Sequence, residues 1–227
     1  MTTLANLRAA ISTILKAAGA AGALQLNANT RERAFEAFVF SMVVKAARRA
    51  GATVVIKGIK SGPNPSPLVF RGGPGRLGST AQDFAYAQCA LNGTEFEVHV
   101  DVEYQGSSGA VHEVDVSIVD ALHADHIRSE PSRLPSTRYV HGVFECKFYD
   151  STLGVALGRT FVGLAADCGD LEAKALLTNG TDARLAQYMR QKSRPDPFFA
   201  VLPLSRGAAD RFVAVLEHAL RKWACVA

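Results

Sequence analysis

The sequence predicts a mixed α/β fold in which one β-sheet carries helices on both faces. First, short β-branched strands alternate with helical segments in the C-terminal half of the chain, as in other α/β sheets. Second, the middle of the chain has the pattern of a long β-hairpin, and third, a capped helix precedes it. With 227 residues, of which 48% are hydrophobic and 20% charged, the chain can bury a sizeable core.

We predict a single domain over residues 1–227, because no separate second domain is recognisable. Its parts are an N-terminal helix at 1–28, a core at 30–189, a flexible loop at 60–79 within that core, and a C-terminal strand and helix at 190–227.

Composition narrows the class of protein. A net charge of +4 permits a polyanionic partner without requiring one. The four cysteines are widely spaced and form no C-x-x-C pair, which favours reduced, buried thiols over disulfides or zinc. Arg8 and Lys16 interrupt the apolar N-terminal segment, so it is not a secretory signal, and no stretch approaches the roughly 20 apolar residues of a membrane span. We therefore expect a cytoplasmic protein without a membrane partner.

Two helices are predicted at the start of the chain. Leu4–Ala23 has apolar residues at helical spacing. Arg31–Ala50 lies between Asn29 or Thr30 as N-cap and Gly51 just past its end, which indicates a helix of about five turns.

A strand at Thr53–Ile59 is followed by the segment 60–79, whose prolines and glycines oppose helix and most strand pairing. We expect a flexible surface loop. The alternative is a basic arm that reaches along nucleic-acid phosphates. Its members would be Lys57, Lys60, Arg71 and Arg76.

The hairpin pattern runs through Thr94–Tyr104, a turn at Gly106–Gly109, and Val111–Asp120. Ala81–Ala90 before it is a short helix or strand. Even-numbered residues from Phe96 to Tyr104 are apolar and are expected to share one face. The odd-numbered ones are polar, and we predict that they form a solvated face. They are Glu95, Glu97, His99, Asp101 and Glu103. A metal site at His99 and Asp101 is the alternative.

The remaining elements follow from the same rules. Two histidines in Ala121–Ile127, His123 and His126, leave zinc as an alternative there, although no second pair stands at ligand spacing. The later elements are a helix at Leu153–Ala166, a strand and turn at Ala173–Gly180, a helix at Thr181–Met189, a buried strand at Phe198–Leu204 and a helix at Ala208–Ala224.

Two strands carry the residues with the clearest chemistry. In His141–Tyr149, Glu145 and Lys147 are two apart and therefore share a face. In Val111–Val119, Asp115 is expected to share its face with Glu113 and Ser117. If the strands pair, two carboxylates and an ammonium converge, which is a hard-oxygen site for Mg²⁺ with a positive group beside it. Taken singly, Glu145 and Lys147 would be an exposed ion pair and Asp115 a surface carboxylate.

This arrangement resembles the PD-(D/E)xK nuclease superfamily, which has the restriction-endonuclease-like fold. The matching residues are Asp115 and the run Glu145-Cys146-Lys147. The chain departs from the motif in one respect, because Val114 and not proline precedes Asp115.

Two further features are similar to Mrr-type members of the superfamily. A Phe-Glu pair at the start of the core matches Phe35-Glu36, with Glu32 as the rival carboxylate. A polar turn that leads from a strand into a helix matches Thr178–Gly180. The superfamily core, in the order α-β-β-β-α-β, would map onto Thr30–Met189.

The resemblance implies a metal-dependent endonuclease that hydrolyses DNA, plausible in bacterial restriction or phage defence. It implies Mg²⁺, with Mn²⁺ as a substitute, held by Asp115, Glu145, the backbone carbonyl of Cys146 and Glu36, while Lys147 stabilises charge on the phosphate. The expected partners are DNA, a second copy of the chain and an activator protein. The alternatives are a non-catalytic nucleic-acid-binding subunit of the same fold and a nucleotide-sensing module.

Overall fold

Helices and strands alternate along most of the described chain. The structure is a computed structural model and describes residues 2–28, 30–150, 153–192 and 197–225. The helices are α1 (Leu4–Ala17), α2 (Arg31–Ala50), α3 (Ala121–Ser129), α4 (Val155–Cys168), α5 (Ala183–Lys192) and α6 (Arg206–Ala224). The strands are β1 (Leu24–Leu26), β2 (Thr53–Gly58), β3 (Gly62–Pro63), β4 (Leu68–Phe70), β5 (Ala85–Leu91), β6 (Thr94–Gln105), β7 (Val111–Asp120), β8 (Val140–Lys147) and β9 (Ala173–Thr178).

Seven strands form one mixed sheet in the order β3-β2-β5-β6-β7-β8-β9. All neighbours are antiparallel except β8 and β9, which are parallel and are connected through α4. β1 and β4 form a separate parallel pair. The prediction of a mixed α/β fold is confirmed, and so is the pairing of the two strands that carry Asp115 and Glu145.

Helices cover both faces of the sheet, as predicted. On the first face α1, α2 and α6 build a core that includes Phe35, Phe40, Phe96, Phe144 and Phe212. On the second face α3, α4 and α5 build a core that includes Tyr104, Phe161, Leu176, Leu185 and Met189. None of the described helices is long and apolar enough to cross a membrane.

Helix α2 is the central element of the first face. The Thr30 side chain accepts a hydrogen bond from the backbone N–H of Arg33, and Gly51 ends the helix in the left-handed region with φ 108°. Asn29, the other predicted cap, lies outside the described residues. Every residue from position 34 to 44 is buried, because the sheet packs against one side of the helix and α1 and α6 against the other. A charged side chain in this part of α2 therefore needs partners inside the protein.

The segment 60–79, predicted as a flexible loop, forms backbone pairs with other parts of the chain. It contains β3 and β4, and Gly75 forms a bridge to Val102 of β6. Pro63 is tolerated because β3 is a two-residue strand at the edge of the sheet. Arg71 is buried, with its guanidinium 4.1 Å from the ring centroid of Phe84, so it is not available to a basic arm on nucleic acid.

Two other predictions need correction, and one open alternative is decided. The first helix ends at Ala17 and not at Ala23, shortly before Gly19 adopts φ 87°. Phe198–Leu204 is not a strand, because Phe198 makes only an isolated bridge to β9 and Ala200, with φ 52°, turns the backbone out of the extended conformation. Of the two alternatives for 81–90, the strand is confirmed, since β5 begins at Ala85 and ends at Leu91.

The contact between α4 and α5 depends on a glycine. A Cβ at Gly158 would lie 2.7 Å from Leu185 and 2.9 Å from Tyr188, whereas a Cβ at Gly163 of the same helix would meet nothing within 4 Å. We expect Gly158→Leu to lower the free energy of unfolding by about 1–3 kcal/mol through overpacking. Gly163→Ala should raise it by about 0.5–1 kcal/mol through helix propensity. Urea unfolding of the two variants measures both effects, and a neutral Gly158→Leu would contradict close packing of these helices.

Candidate metal centre

Three buried carboxylates converge where β6 and β7 pass under the first turns of α2. They belong to Glu36 of α2, Asp101 of β6 and Asp115 of β7, and one oxygen from each lies within 4.8 Å of the others. The residues are 6%, 0% and 5% exposed. Glu145 and Lys147 of β8 adjoin this group, since the Lys147 ammonium is 3.3 Å from Asp115 and 2.6 Å from Glu145.

The acidic residues of the three strands lie in one row across the sheet. Asp101 and Asp115 occupy the position between the pairs Val100–Val116 and Val102–Val114. The ladder between β7 and β8 ends at the pair Val116–Phe144, so Asp115 and Glu145 occupy the next position along these strands. We call Asp101, Asp115 and Glu145 the acidic row.

Strands β7 and β8 separate at the acidic row, and the Asp115 side chain takes up a backbone group released there. Its Oδ2 accepts a hydrogen bond from the backbone N–H of Cys146 at 2.7 Å as well as the contact from Lys147. Asp115, Glu145 and Lys147 thus meet, as their strand positions predict. For Cys146, the structure shows this N–H contact; its carbonyl as a metal ligand stays a prediction.

Of the two glutamates that the sequence offers on α2, Glu36 reaches the site. Glu32 is exposed. The adjacent Phe35 packs edge-on against Phe148 just beyond β8, with ring centroids 5.6 Å apart, and so fastens the first turns of α2 to the end of that strand. This contact places Glu36 above the acidic row.

Asp101 was expected on a solvated face, and that prediction is wrong. Asp101, Glu97 and His99 are all buried. Arg128 of α3 covers the second face of β6 and donates two hydrogen bonds of 2.7 Å to Glu97, which also contacts His99 at 2.8 Å. The middle of this polar face is therefore buried and paired, because helices cover both faces of the sheet, whereas Glu95 at the start of β6 is exposed as predicted.

The backbone at Asp101 explains why its side chain leaves the expected face. Asp101 has φ 52°, and its carbonyl accepts a hydrogen bond from the N–H of Gly75 at 3.1 Å. The N–H of Glu103 in turn donates to the carbonyl of Gly75 at 3.0 Å. As a result Val100 packs in the first-face core but Val102 in the second-face core. The strict alternation expected for β6 is broken, and Asp101 turns towards Glu36.

Strand β7 departs from alternation at the same place. Ser117 bonds to Tyr104 in the second-face core through a 2.7 Å contact between their hydroxyl oxygens. Asp115 instead lies with Glu36 beneath α2. The predicted common face of Asp115 and Ser117 is therefore wrong. Aspartate adopts the left-handed backbone conformation seen at Asp101 more readily than most residues do. The strand pattern of β6, however, does not predict that conformation at this position.

Asp101 has one oxygen without a partner. Its Oδ1 accepts a hydrogen bond from Arg33 at 3.0 Å, whereas its Oδ2 has no hydrogen-bond partner among the described residues. Leaving a buried acceptor unsatisfied costs about 1–3 kcal/mol, more for a charged group. The oxygens that could bind a metal ion here all belong to carboxylates, and such a ligand set suits hard cations such as Mg²⁺, Mn²⁺ or Ca²⁺. The residues present thus fit a divalent cation.

Burial and mutual repulsion shift the acidic groups towards their neutral forms. Burial, with Asp101 and Asp115 nearby, raises the pKa of Glu36 to about 9. Burial and the charge of Asp115 raise the pKa values of Asp101 and Glu145 to about 7. Burial opposes the charge of Lys147, yet Asp115 and Glu145 outweigh it and raise its pKa, so this ammonium stays charged. A bound divalent cation would oppose these shifts, because it favours the ionised forms of the carboxylates.

The alternative zinc site in α3 is not supported by geometry. The ring of His123 stacks on Tyr139 with centroids 3.9 Å apart, and its Nε2 accepts a hydrogen bond from the N–H of Ser136. Among the described residues, neither His123 nor His126 belongs to a group of three metal-ligating side chains.

Comparison of this chain with protein-family models, with curated proteins and with solved structures finds no match. Functional inference therefore depends on the geometry of the site and on the order of the elements around it.

The raised pKa of Glu36 predicts how the metal-free protein responds to pH. Between about pH 5 and about pH 9 the folded state keeps a proton on Glu36 that the unfolded state has lost, so stability falls as pH rises. We expect a loss of at least about 1.4 kcal/mol over this range, because that is the free energy of one pKa unit and the pKa of Glu36 is raised by more than one unit. Glu36→Gln should reduce the slope. Chemical unfolding in EDTA at several pH values measures it.

The matched control for this experiment is Glu32→Gln, an exposed position one turn earlier on α2, which should keep the wild-type slope. Mn²⁺ should restore stability to the wild-type protein at high pH, where the carboxylates are ionised. An identical pH slope in wild type and Glu36→Gln would show that Glu36 is not held protonated by its surroundings.

Proposed function

We propose that this chain is a divalent-metal-dependent nuclease that hydrolyses phosphodiester bonds in DNA. The observation that carries the proposal is the meeting of Asp115, Glu145 and Lys147 at the separation of β7 and β8. Four carboxylates and an ammonium in one place combine a hard-cation site with a fixed positive charge. Phosphodiester hydrolysis needs both, because negative charge builds up on the phosphoryl oxygens during the reaction.

The order of the elements supports a restriction-endonuclease-like fold. Helix α2, the adjacent antiparallel strands β6, β7 and β8, helix α4 and the parallel strand β9 follow the α-β-β-β-α-β order of that superfamily. The carboxylates come from the second and third strands of this core, as in the motif. Strands β2 to β5, between α2 and β6, and helix α3, between β7 and β8, are additions to it.

In this proposal Asp115, Glu145, Glu36 and Asp101 hold Mg²⁺ or Mn²⁺, with the Cys146 carbonyl as a further oxygen. The cation supplies charge neutralisation at the phosphate and acidifies water. The hydrogen bond from the Cys146 N–H keeps the Asp115 carboxylate oriented.

Lys147 acts on the substrate in a different way. It remains protonated because of its two carboxylate neighbours, so it can donate a hydrogen bond to a phosphoryl oxygen and stabilise the charge that develops there. Glu36 completes the oxygen ligand set or orients a water beside it.

Basic side chains around the site suit a polyanionic substrate. Arg31, Arg33, Arg76 and Lys147 all keep part of their side chains exposed, from 23% for Arg33 to 42% for Arg76. The guanidinium of Arg31 lies 5.4 Å from the ring centroid of Phe148, next to the end of β8. These groups can contact backbone phosphates without reading sequence.

We also propose a dimeric assembly and a role in bacterial defence. Cutting both strands of a duplex takes two sites, so a second copy of the chain is part of it. A role in bacterial restriction or phage defence, with an activator, belongs to the same proposal and follows by analogy with the superfamily.

Asp115→Asn and Glu145→Gln should each reduce metal-dependent cleavage by at least about 100-fold, since each removes a charge that the reaction depends on. The measurement is cleavage of supercoiled, linear and single-stranded DNA, and of RNA, with Mg²⁺ or Mn²⁺ and with EDTA. Glu95→Gln, an exposed position at the start of β6, is the matched control and should cleave like wild type. Wild-type activity in Asp115→Asn would refute the proposed site.

Lys147→Gln separates the two parts of the mechanism. It should still bind Mn²⁺ in calorimetry, because the carboxylates remain, but should lose a comparable factor in cleavage. DNA binding without any cleavage in the wild-type protein, under every metal condition, would favour a non-catalytic nucleic-acid-binding subunit instead.

A further inference from the structure

A basic side chain stands inside the carboxylate cluster. Nη1 of Arg33 is 2.9 Å and 3.0 Å from the two carboxylate oxygens of Glu36 and 3.0 Å from Oδ1 of Asp101. Glu113 lies farther out, at 3.9 Å from the same nitrogen. A single guanidinium nitrogen thus bridges two of the four carboxylates that the metal centre would use.

A guanidinium at these oxygens opposes the binding of a divalent cation to them. Divalent cations approach carboxylate oxygens to about 2.0–2.6 Å, and a positive group hydrogen-bonded to the same oxygens would repel the ion and occupy lone pairs. Arg33 already contacts both oxygens of Glu36 and one of Asp101, and among the described residues only Oδ2 of Asp101 in this pair of carboxylates has no hydrogen-bond partner. A cation at Glu36 and Asp101 therefore competes with Arg33.

The charge balance explains why Arg33 is there. Among the described residues, Arg33 and Lys147 form ion pairs at the site, and the charge of the buried Arg71 also acts on Asp101. These positive groups face five carboxylates. The carboxylates are Glu36, Asp101, Glu113, Asp115 and Glu145. Buried carboxylates of like charge repel strongly, so the fold needs internal positive charge when no metal is bound.

The Arg33 side chain can leave the carboxylate cluster towards solvent. It lies in the first turn of α2 and its side chain is 23% exposed, in contrast to the buried Glu36 one turn later. The side chain of Glu113 is 38% exposed, so the ion pair with it lies towards solvent. Rotation of the Arg33 side chain towards Glu113 would free Glu36 and Asp101 without any movement of the helix.

We propose that Arg33 is a resident counter-cation of the metal-free protein, and that a divalent ion binds by displacing its guanidinium from Glu36 and Asp101. This inference rests on the proposed metal centre and adds its regulation: the ion's affinity is set by competition with a side chain of the protein itself. Arg33 is a gate to the site and not a member of its ligand set.

The experiment is calorimetric titration of Mn²⁺ into the wild-type protein and Arg33→Gln without nucleic acid. The variant should bind Mn²⁺ at least about 10-fold more tightly, which corresponds to about 1.4 kcal/mol, because the competing ion pairs are gone. Arg31→Gln is the matched control on the same turn of α2. It removes a guanidinium that pairs with Asp150 outside the cluster, and its affinity should equal that of wild type.

A second variant covers the case in which Arg33→Gln does not fold without metal. Arg33→Lys keeps the charge on a shorter side chain that ends in a compact ammonium, which should hold Glu36 and Asp101 less firmly, so its Mn²⁺ affinity should fall between those of wild type and Arg33→Gln. The rise in melting temperature on adding Mn²⁺ should follow the same order in proteins refolded with the ion present. A merely structural role for Arg33 would weaken Mn²⁺ binding in both variants.

The outcomes for Arg33 and for the nuclease proposal are separable. Equal or weaker Mn²⁺ binding by Arg33→Gln overturns the gate, even if the wild-type protein cleaves DNA. Tighter binding by Arg33→Gln supports the gate, even if the wild-type protein cleaves nothing and the nuclease proposal fails. Absence of Mn²⁺ binding in all the proteins overturns the gate together with the metal centre.

Discussion

Like-charge repulsion among buried carboxylates is the constraint to which this structure is adapted. Asp101, Asp115 and Glu145 come from three neighbouring strands, and Glu36 is placed over them by α2. Nothing in a hydrophobic core requires such an arrangement, and each ionised group raises the pKa of the next. Arg33, Lys147 and the backbone N–H of Cys146 offset part of the repulsion. The repulsion that is not offset lowers the stability of the fold. Such strongly shifted carboxylates are typical of functional sites.

Local sequence patterns were sufficient for the elements that carry most of the site. Short stretches of sequence determine the caps of α2, the β-branched runs of β7 and β8 and the turn after β9, and the structure places these elements where the patterns predict. Glu145 and Lys147 are neighbours because residues two apart on a strand share a face. Asp115 joins them because β7 and β8 pair.

The remainder depends on contacts between distant parts of the chain. Asp101 belongs to the site because Gly75 pairs with β6 and holds a positive φ there, a contact that no pattern around residue 101 encodes. Glu97 and His99 are buried because α3 folds back over β6. From the sequence alone, Arg33 would be assigned to the exposed face of an amphipathic helix. The residues next to each of these side chains in the sequence are ordinary, and only contacts made by the folded chain give the side chain its unusual surroundings.

The charged residues on the second face of β6 have a consequence for how the sheet assembles. Shifting a strand by one residue exchanges its two faces. In most sheets such a shift is opposed by exposure of apolar side chains, but β6 is covered on both sides, so that penalty is weak. Here a shift would instead drive Glu97 and His99 into the Phe96 and Phe144 side of the core, and would separate Glu97 from Arg128. Buried ion pairing, more than hydrophobicity, therefore specifies the register of the strand from which Asp101 projects.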